Sequence, residues 1–126
     1  MELDIDYEIV CVPDSDDKSR VEFHAMFGKE LVGQAVLVKP VNGFCAFITD
    51  LGVVREHRGK GLAKRIVKEI MVFNPSAIQV TVRPQPLDGD DTAPLSEAQL
   101  RSFYASLGFV EFTPRITNMI WPGREN

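Results

Sequence analysis

The sequence predicts an α/β fold, with a mixed central sheet of about six or seven strands and two main helices in a single domain spanning residues 1–126. Apolar residues recur with strand spacing in seven segments and with helical spacing in two. One helical segment lies between two strongly apolar strands, as in a right-handed parallel crossover. The length of 126 residues is enough for one hydrophobic core.

Four strands are expected first, over residues 5–12, 21–27, 31–38 and 44–54. Polar turns separate them, at 13–19, 28–30 and 40–43, and the last of these turns contains Asn-Gly, a strong hairpin signal. The short turns favour antiparallel pairing of these strands. The fourth strand is a nearly continuous apolar run, which predicts burial on both of its faces.

The helices and the remaining strands follow. A helix is predicted from about Gly61 to Phe73, and Asn74-Pro75 ends it. A strand over 77–82 precedes a long irregular loop over 83–94, which contains three prolines and three aspartates. The second helix covers 96–107, with Ser96 or Thr92 as its cap and Gly108 at its end. Strands over 109–112 and 116–121 complete the order.

Composition and charge exclude several classes of function. The net charge is −4 and the pI is about 5.1, which argues against broad nucleic-acid binding. No apolar stretch reaches the roughly 20 residues that a membrane span requires. The acidic N-terminus shows no signal-peptide pattern, so a soluble cytoplasmic protein is expected. Cys11 and Cys45 lie in apolar runs without metal-ligand spacing, and both are expected to be buried free thiols.

Basic residues are concentrated between Arg55 and Lys68, where six of the 14 lysines and arginines lie, at a loop that joins a strand to a helix. The strand ends in Leu51-Gly52-Val53, and the loop continues as Arg58-Gly59-Lys60-Gly61-Leu62-Ala63. Glycines let the backbone approach a ligand closely. The first turn of a helix offers unpaired N–H groups and the positive end of its dipole. The pattern therefore predicts a local site for a phosphate or a pyrophosphate.

This segment resembles motif A of the GNAT superfamily of N-acetyltransferases, in which Arg or Gln is followed by Gly and then Gly or Ala at fixed spacing. Arg58, Gly61 and Ala63 match that pattern, although Arg55 stands where the family often has proline. The segment from Ser102 to Phe109 resembles the family's helix-to-strand signature, with an aromatic residue and tyrosine before Leu-Gly-Phe. The resemblance implies a GNAT-like sheet and an acetyltransferase activity.

The resemblance also implies roles for individual residues. Backbone N–H groups of residues 58–63 would bind the pyrophosphate of acetyl-CoA. Leu51, Gly52 and Val53 would bind the pantetheine arm through the main chain, where the strand parts from its neighbour at a bulge. Backbone N–H groups near Leu51 would polarise the thioester carbonyl. Tyr104 would protonate the leaving CoA thiolate. No metal and no covalent enzyme intermediate are expected.

The general base is less well specified. Some family members carry a glutamate within the central strand, where this chain has Phe47. Asp50, beside Leu51, is the first candidate for accepting the proton, either directly or through water. The weaker candidates are Thr49, Glu22 and His24, of which His24 is expected to be solvated.

The acceptor side departs further from the family, which usually inserts two helices between its first two strands. The segment from Pro13 to Arg20 is too short for two helices, so an open acceptor site is expected. The leading hypothesis is acetyl transfer to a primary amine on a small molecule or a protein. The alternative is a non-catalytic CoA-binding or protein-interaction module. A nucleic-acid binder using Lys60, Lys64, Arg65 and Lys68 is disfavoured by the acidic pI, and strands near the C-terminus could pair in a homodimer.

Overall fold

The computed structural model describes residues 7–39, 45–57, 61–82, 96–112 and 117–123, and the fold is given for those ranges. Four strands come first: β1 (Tyr7–Pro13), β2 (Arg20–Phe27), β3 (Glu30–Val38) and β4 (Ala46–Val53). A 3-10 turn over Arg55–His57 precedes helix α1 (Leu62–Phe73) and strand β5 (Ile78–Thr81). Helix α2 (Glu97–Ala105) and strands β6 (Val110–Glu111) and β7 (Asn118–Trp121) complete the order.

All seven strands belong to one sheet, in the spatial order β1-β2-β3-β4-β5-β7-β6. The paired neighbours are antiparallel except β4 and β5, which are parallel. Parallel neighbours require a crossover connection, and α1 supplies it. The mixed sheet with two helices confirms the predicted fold class.

Helix α1 packs its apolar face against β2, β3 and β4. Its buried residues recur three or four positions apart, as one helix face requires: Leu62, Ile66, Val67 and Ile70. Gly33 of β3 allows the helix to approach closely, because a Cβ at that position would lie 3.2 Å from Cδ1 of Ile66. Near the other end of α1, the rings of Phe73 and Phe23 meet edge to face at 5.4 Å. This packing fixes where α1 begins relative to the end of β4.

The short connection between β1 and β2 is an internally bonded turn. Residues 14–19 are all described and contain no helix. The Asp14 carboxylate accepts the N–H groups of Asp16 and Asp17 at 2.8 and 3.1 Å. The Asp17 carboxylate accepts the N–H of Ser19 at 2.9 Å. The two acceptor-side helices usual in the family are therefore absent from this connection, as its length predicts.

Two burial predictions are wrong. Cys11 is exposed and Cys45 is only half-buried, although both are free thiols as expected. Cys11 lies on β1, at the edge of the described sheet, where apolar composition does not ensure burial. Strand β4 is not buried on both faces, because Thr49 and Asp50 are exposed and Phe47 is half-buried. The polar Thr-Asp pair interrupts the apolar run where the strand is irregular.

The predicted element boundaries agree with the structure to within two residues in the described ranges. Ser96 is the cap of α2, with its hydroxyl accepting the N–H of Gln99. The predicted turn over 40–43, the loop over 83–94 and the alternative cap Thr92 lie outside the described residues.

Candidate functional site

A bulge interrupts β4 in the middle of its pairing with β3. Val36 pairs with Thr49 and Gln34 pairs with Gly52, so β4 has one more residue than β3 between these two pairs. Asp50 lies in this extra stretch with φ of 54°, the left-handed region that aspartate tolerates better than most residues. The bulge thus places Asp50 and Leu51 at an irregular point of the central strand.

The strands β4 and β5 part close to the same point. Their parallel ladder consists of the pairs Ala46–Ile78 and Phe47–Gln79, and it stops there although both strands continue. Beyond Phe47, strand β4 keeps its pairing with β3 but has no further ladder pair with β5 in the described residues. This is the arrangement that the resemblance implies for admitting an extended ligand beside Leu51, Gly52 and Val53.

The start of α1 differs from the start of α2. Gly61, the residue before α1, has φ of 77° and, as a glycine, supplies no side-chain cap to the helix. The first turn of α1 contains no acidic residue. Helix α2 instead has a complete capping box from Ser96 and Gln99, with Glu97 in its first turn. Among the described residues, the start of α1 at Gly61, Leu62 and Ala63 therefore has neither a side-chain cap from Gly61 nor an acidic residue in its first turn to oppose its dipole. Arg58, Gly59 and Lys60 lie outside the described residues.

Tyr104 lies in α2, and its side chain belongs to the hydrophobic core, where the residue is only 5% exposed. Its ring contacts those of Phe103 and Phe109, at centroid distances of 5.0 and 5.2 Å. Within the described ranges its hydroxyl has no hydrogen-bond partner. Buried hydroxyls are nearly always bonded, so a hydroxyl without a partner in the described part of the chain is consistent with a ligand as its partner. Burial raises the pKa of Tyr104 to about 12.

Tyr104 is expected to make the stability of the protein fall at alkaline pH. Because its folded-state pKa is about 12 and a free tyrosine titrates near pH 10, its contribution is fully present below about pH 10 and is lost as the pH rises towards 12. Urea unfolding measures the free energy of unfolding at pH 9 and at pH 11.5. Its decrease between these two pH values should be about 2 kcal/mol larger for the wild type than for Tyr104→Phe. An identical pH dependence of the free energy of unfolding in both proteins would contradict a raised pKa for Tyr104.

The structure separates the candidate bases. Thr49 and Asp50 are adjacent on β4, and the Thr49 hydroxyl lies 3.4 Å from the Asp50 carboxylate. Glu22 and His24 are two strands away on β2, where His24 Nε2 lies 2.8 Å from Glu22 Oε1. The sequence predicts a solvated His24, whereas in the structure its ring contacts the carboxylate of Glu22. Only Asp50 and Thr49 therefore lie at the bulge itself.

Sequence reasoning missed a contact between the start of the chain and the glycine loop. The hydroxyl of Tyr7 lies 2.6 Å from Nδ1 of His57, the residue before Arg58. The two residues are 50 positions apart, so no local pattern indicates their contact. The only signals are an aromatic residue at a predicted strand and a histidine beside the loop.

A small pocket of about 140 Å³ lies where β3 and β4 pair beyond the bulge. It is mostly apolar and is lined by Leu31, Gly33, Gln34, Gly52, Val53 and Val54. Among the described residues, no group of three or more His, Cys, Asp or Glu side chains is arranged to hold a metal ion. No helix in the described ranges combines the length and apolarity needed to cross a bilayer.

Solved structures share this fold. An acetyltransferase from Thermus thermophilus has a TM-score of 0.62 and 18% identity, over 84% of this chain and 66% of its own. A GNAT acetyltransferase from Elizabethkingia anophelis with acetyl-CoA bound has a TM-score of 0.55 and 15% identity, over 81% and 73%. The PaiA N-acetyltransferase from Thermoplasma acidophilum in complex with coenzyme A has a TM-score of 0.58 and 18% identity, over 81% and 58%. The chain thus matches 58–73% of the length of these three proteins.

Comparison at the level of sequence gives the family. No curated protein sequence is significantly similar to this chain. The acetyltransferase (GNAT) family model matches residues 2–83, which include β1 to β5, the bulge in β4 and the start of α1. This match covers well over half of the chain and agrees with the shared fold. The chain belongs to the GNAT family of acetyltransferases.

Proposed function

We propose that this protein is an N-acetyltransferase that uses acetyl-CoA to acetylate a primary amine by direct attack on the thioester. The observation that carries the proposal is the early end of the β4–β5 ladder next to the bulge at Asp50. Two further observations on the described residues support it: Gly61 supplies no side-chain cap to α1, and the buried hydroxyl of Tyr104 has no hydrogen-bond partner among them.

The residues present fit acetyl-CoA, which supplies the acetyl group as an activated thioester. We assign the main chain of Leu51, Gly52 and Val53 to the pantetheine arm, because the ladder to β5 has already ended at these positions. We assign residues 58–63 to the pyrophosphate, on the basis of the glycine pattern and the uncapped helix start. The positive φ of Gly61 lets the chain turn into the helix without the steric cost that a Cβ would add.

The proton transfers are assigned to two side chains. Asp50 accepts the proton that the amine must lose, directly or through water, and backbone N–H groups near Leu51 polarise the carbonyl. Tyr104 donates its proton to the sulfur as the carbon–sulfur bond breaks. Because the pKa of Tyr104 is about 12, its hydroxyl stays protonated at every pH at which the protein would work.

The acceptor we propose is a cationic primary amine, free or on a protein. The net charge of −4 and the carboxylate of Asp50 favour a cation. The pocket beside Gly52 offers an apolar surface for the carbon chain of such an acceptor. The short connection over 14–19 leaves the acceptor side open, which suits a large acceptor as well as a small one. A cytoplasmic location and a homodimer stay predictions of the sequence.

Asp50→Asn is expected to lower kcat/KM for the amine by about 100-fold at neutral pH, because the variant loses the proton acceptor. Asparagine tolerates the left-handed φ of position 50, so the bulge should persist. Steady-state kinetics over pH 6–9 measure the loss, and Asp16→Asn, in an exposed turn, is the matched control. Full activity of Asp50→Asn would show that another group is the general base.

The proposal is tested on the wild-type protein by calorimetry with acetyl-CoA and by release of free CoA thiol in the presence of a panel of amines. The predicted result is saturable binding together with thiol release that depends on the amine. The absence of acetyl-CoA binding would contradict the proposal.

A non-catalytic CoA-binding or interaction module is the alternative. The observation that favours it is the connection over residues 14–19, which lacks the acceptor-side helices usual in the family. Binding of acetyl-CoA without thiol release for any amine or lysine-containing protein would favour this alternative.

A further inference from the structure

Three rings from separate segments of the chain meet at His57, the residue that precedes Arg58 in the sequence. The Tyr7 hydroxyl lies 2.6 Å from Nδ1 of His57. The His57 ring also packs against the rings of Phe27 and Tyr7, with centroids 5.1 and 5.6 Å apart. Tyr7 is only 8% exposed, so competing water is largely excluded from its contact with His57. The first described strand thus holds the residue that immediately precedes Arg58.

Tyr7 also contacts the helix that follows the loop. The Arg65 guanidinium donates to the backbone carbonyl of Tyr7 at 3.3 Å. Arg65 lies near the start of α1, where its own N–H donates to the carbonyl of Gly61 at 3.1 Å. His57 and Arg65, which lie on either side of the segment 58–60 in the sequence, therefore both form hydrogen bonds with Tyr7, at least 50 positions away.

The hydrogen bond to Tyr7 determines what His57 can offer a ligand. An imidazole nitrogen is a better acceptor than a phenol oxygen, so the Tyr7 hydroxyl donates to Nδ1 and the ring proton lies on Nε2. Within the described ranges, Nε2 has no hydrogen-bond partner. His57 therefore has an N–H donor at Nε2 without a partner among the described residues, and it directly precedes Arg58 in the sequence.

We propose that Tyr7 is a positioning residue that orients His57, and that His57 donates its Nε2–H to a phosphate oxygen of bound CoA. This inference rests on the proposed function, because it requires CoA to bind at residues 58–63. It goes beyond the motif, since the strand that carries Tyr7 is remote from the glycine loop in sequence.

A matched control is available because the chain has two histidines. Tyr7→Phe removes one hydroxyl, and His57→Phe removes the imidazole but keeps a ring. His24→Phe makes the same change on β2 and serves as the control for acetyl-CoA affinity. The measurements are the Kd for acetyl-CoA by calorimetry, the Tm without ligand, and KM and kcat.

The expected Kd increases are about fivefold for Tyr7→Phe and about tenfold for His57→Phe, since a hydrogen bond to a charged phosphate is lost or misdirected. The double variant should bind no more weakly than His57→Phe, because Tyr7 acts through His57. Tyr7→Phe should raise the KM for acetyl-CoA and change kcat at saturation less than about twofold. The control His24→Phe should bind acetyl-CoA within about twofold of the wild type.

Dephospho-CoA identifies the phosphate concerned. A Tyr7→Phe effect that persists with dephospho-CoA supports a contact with the pyrophosphate, and one that disappears supports a contact with the 3′-phosphate. An unchanged Kd in Tyr7→Phe and His57→Phe, with or without a fall in Tm, would overturn the inference while leaving the proposed function intact. If the wild type itself does not bind CoA, the proposed function fails as well.

Discussion

Tyr104→Phe is expected to lower kcat for amine acetylation by about 100-fold while the Kd for acetyl-CoA stays within about twofold of the wild type. The substitution removes only the hydroxyl, which is buried and has no hydrogen-bond partner in the described part of the chain. The proposed role of this hydroxyl is confined to the step in which the sulfur leaves, so ground-state binding should not need it. Calorimetry and steady-state thiol release on the same preparation separate the two quantities.

The stability of Tyr104→Phe is the control for this experiment. Loss of this buried hydroxyl should not lower the Tm, since no hydrogen bond to a described residue is broken and the desolvated group is removed. A variant that retains the Tm and the Kd but loses turnover would identify a proton donor. A variant that retains full turnover would show that the acid is another group or water.

Arg58→Glu is expected to weaken acetyl-CoA binding by about 100-fold. A carboxylate at the proposed pyrophosphate site replaces a favourable charge–phosphate contact with repulsion. Calorimetry at a fixed ionic strength measures the change, because screening by salt alters the repulsion.

Lys68→Glu is the matched control, because it makes the same change of charge at an exposed position further along α1. It should alter the Kd by less than about threefold, since its distance from the helix start leaves only a screened interaction. Equal losses in the two variants would indicate a general effect of charge and would count against the glycine loop as the binding site.

Much of the fold could be predicted because its signals are local. The alternation of Val21, Phe23 and Ala25 matches a strand with one buried face, and these three residues are buried as that pattern requires. The apolar stripe of α1 likewise corresponds to its buried residues. The glycine pattern located the start of α1 to within one residue.

The sequence could predict only those parts of the site that are formed by residues adjacent in the chain. The irregularity at Asp50 lies in the only Thr-Asp pair of an apolar strand, but nothing in the sequence indicates that its φ is positive. The contact between Tyr7 and His57 spans 50 residues and arises from the order of the strands. The apolar neighbours of Cys11 predict its burial, whereas its exposure follows from the position of β1 at the sheet edge.

The central claim is that acetyl-CoA lies along β4 and on the start of α1. Amide chemical shifts of the isotope-labelled protein, recorded during titration with acetyl-CoA, test it most directly. The predicted result is that the largest shifts occur at residues 51–53 and 58–63, while those of residues 14–19 do not change. Saturating shifts confined to other strands, or no shifts at millimolar acetyl-CoA, would contradict the claim.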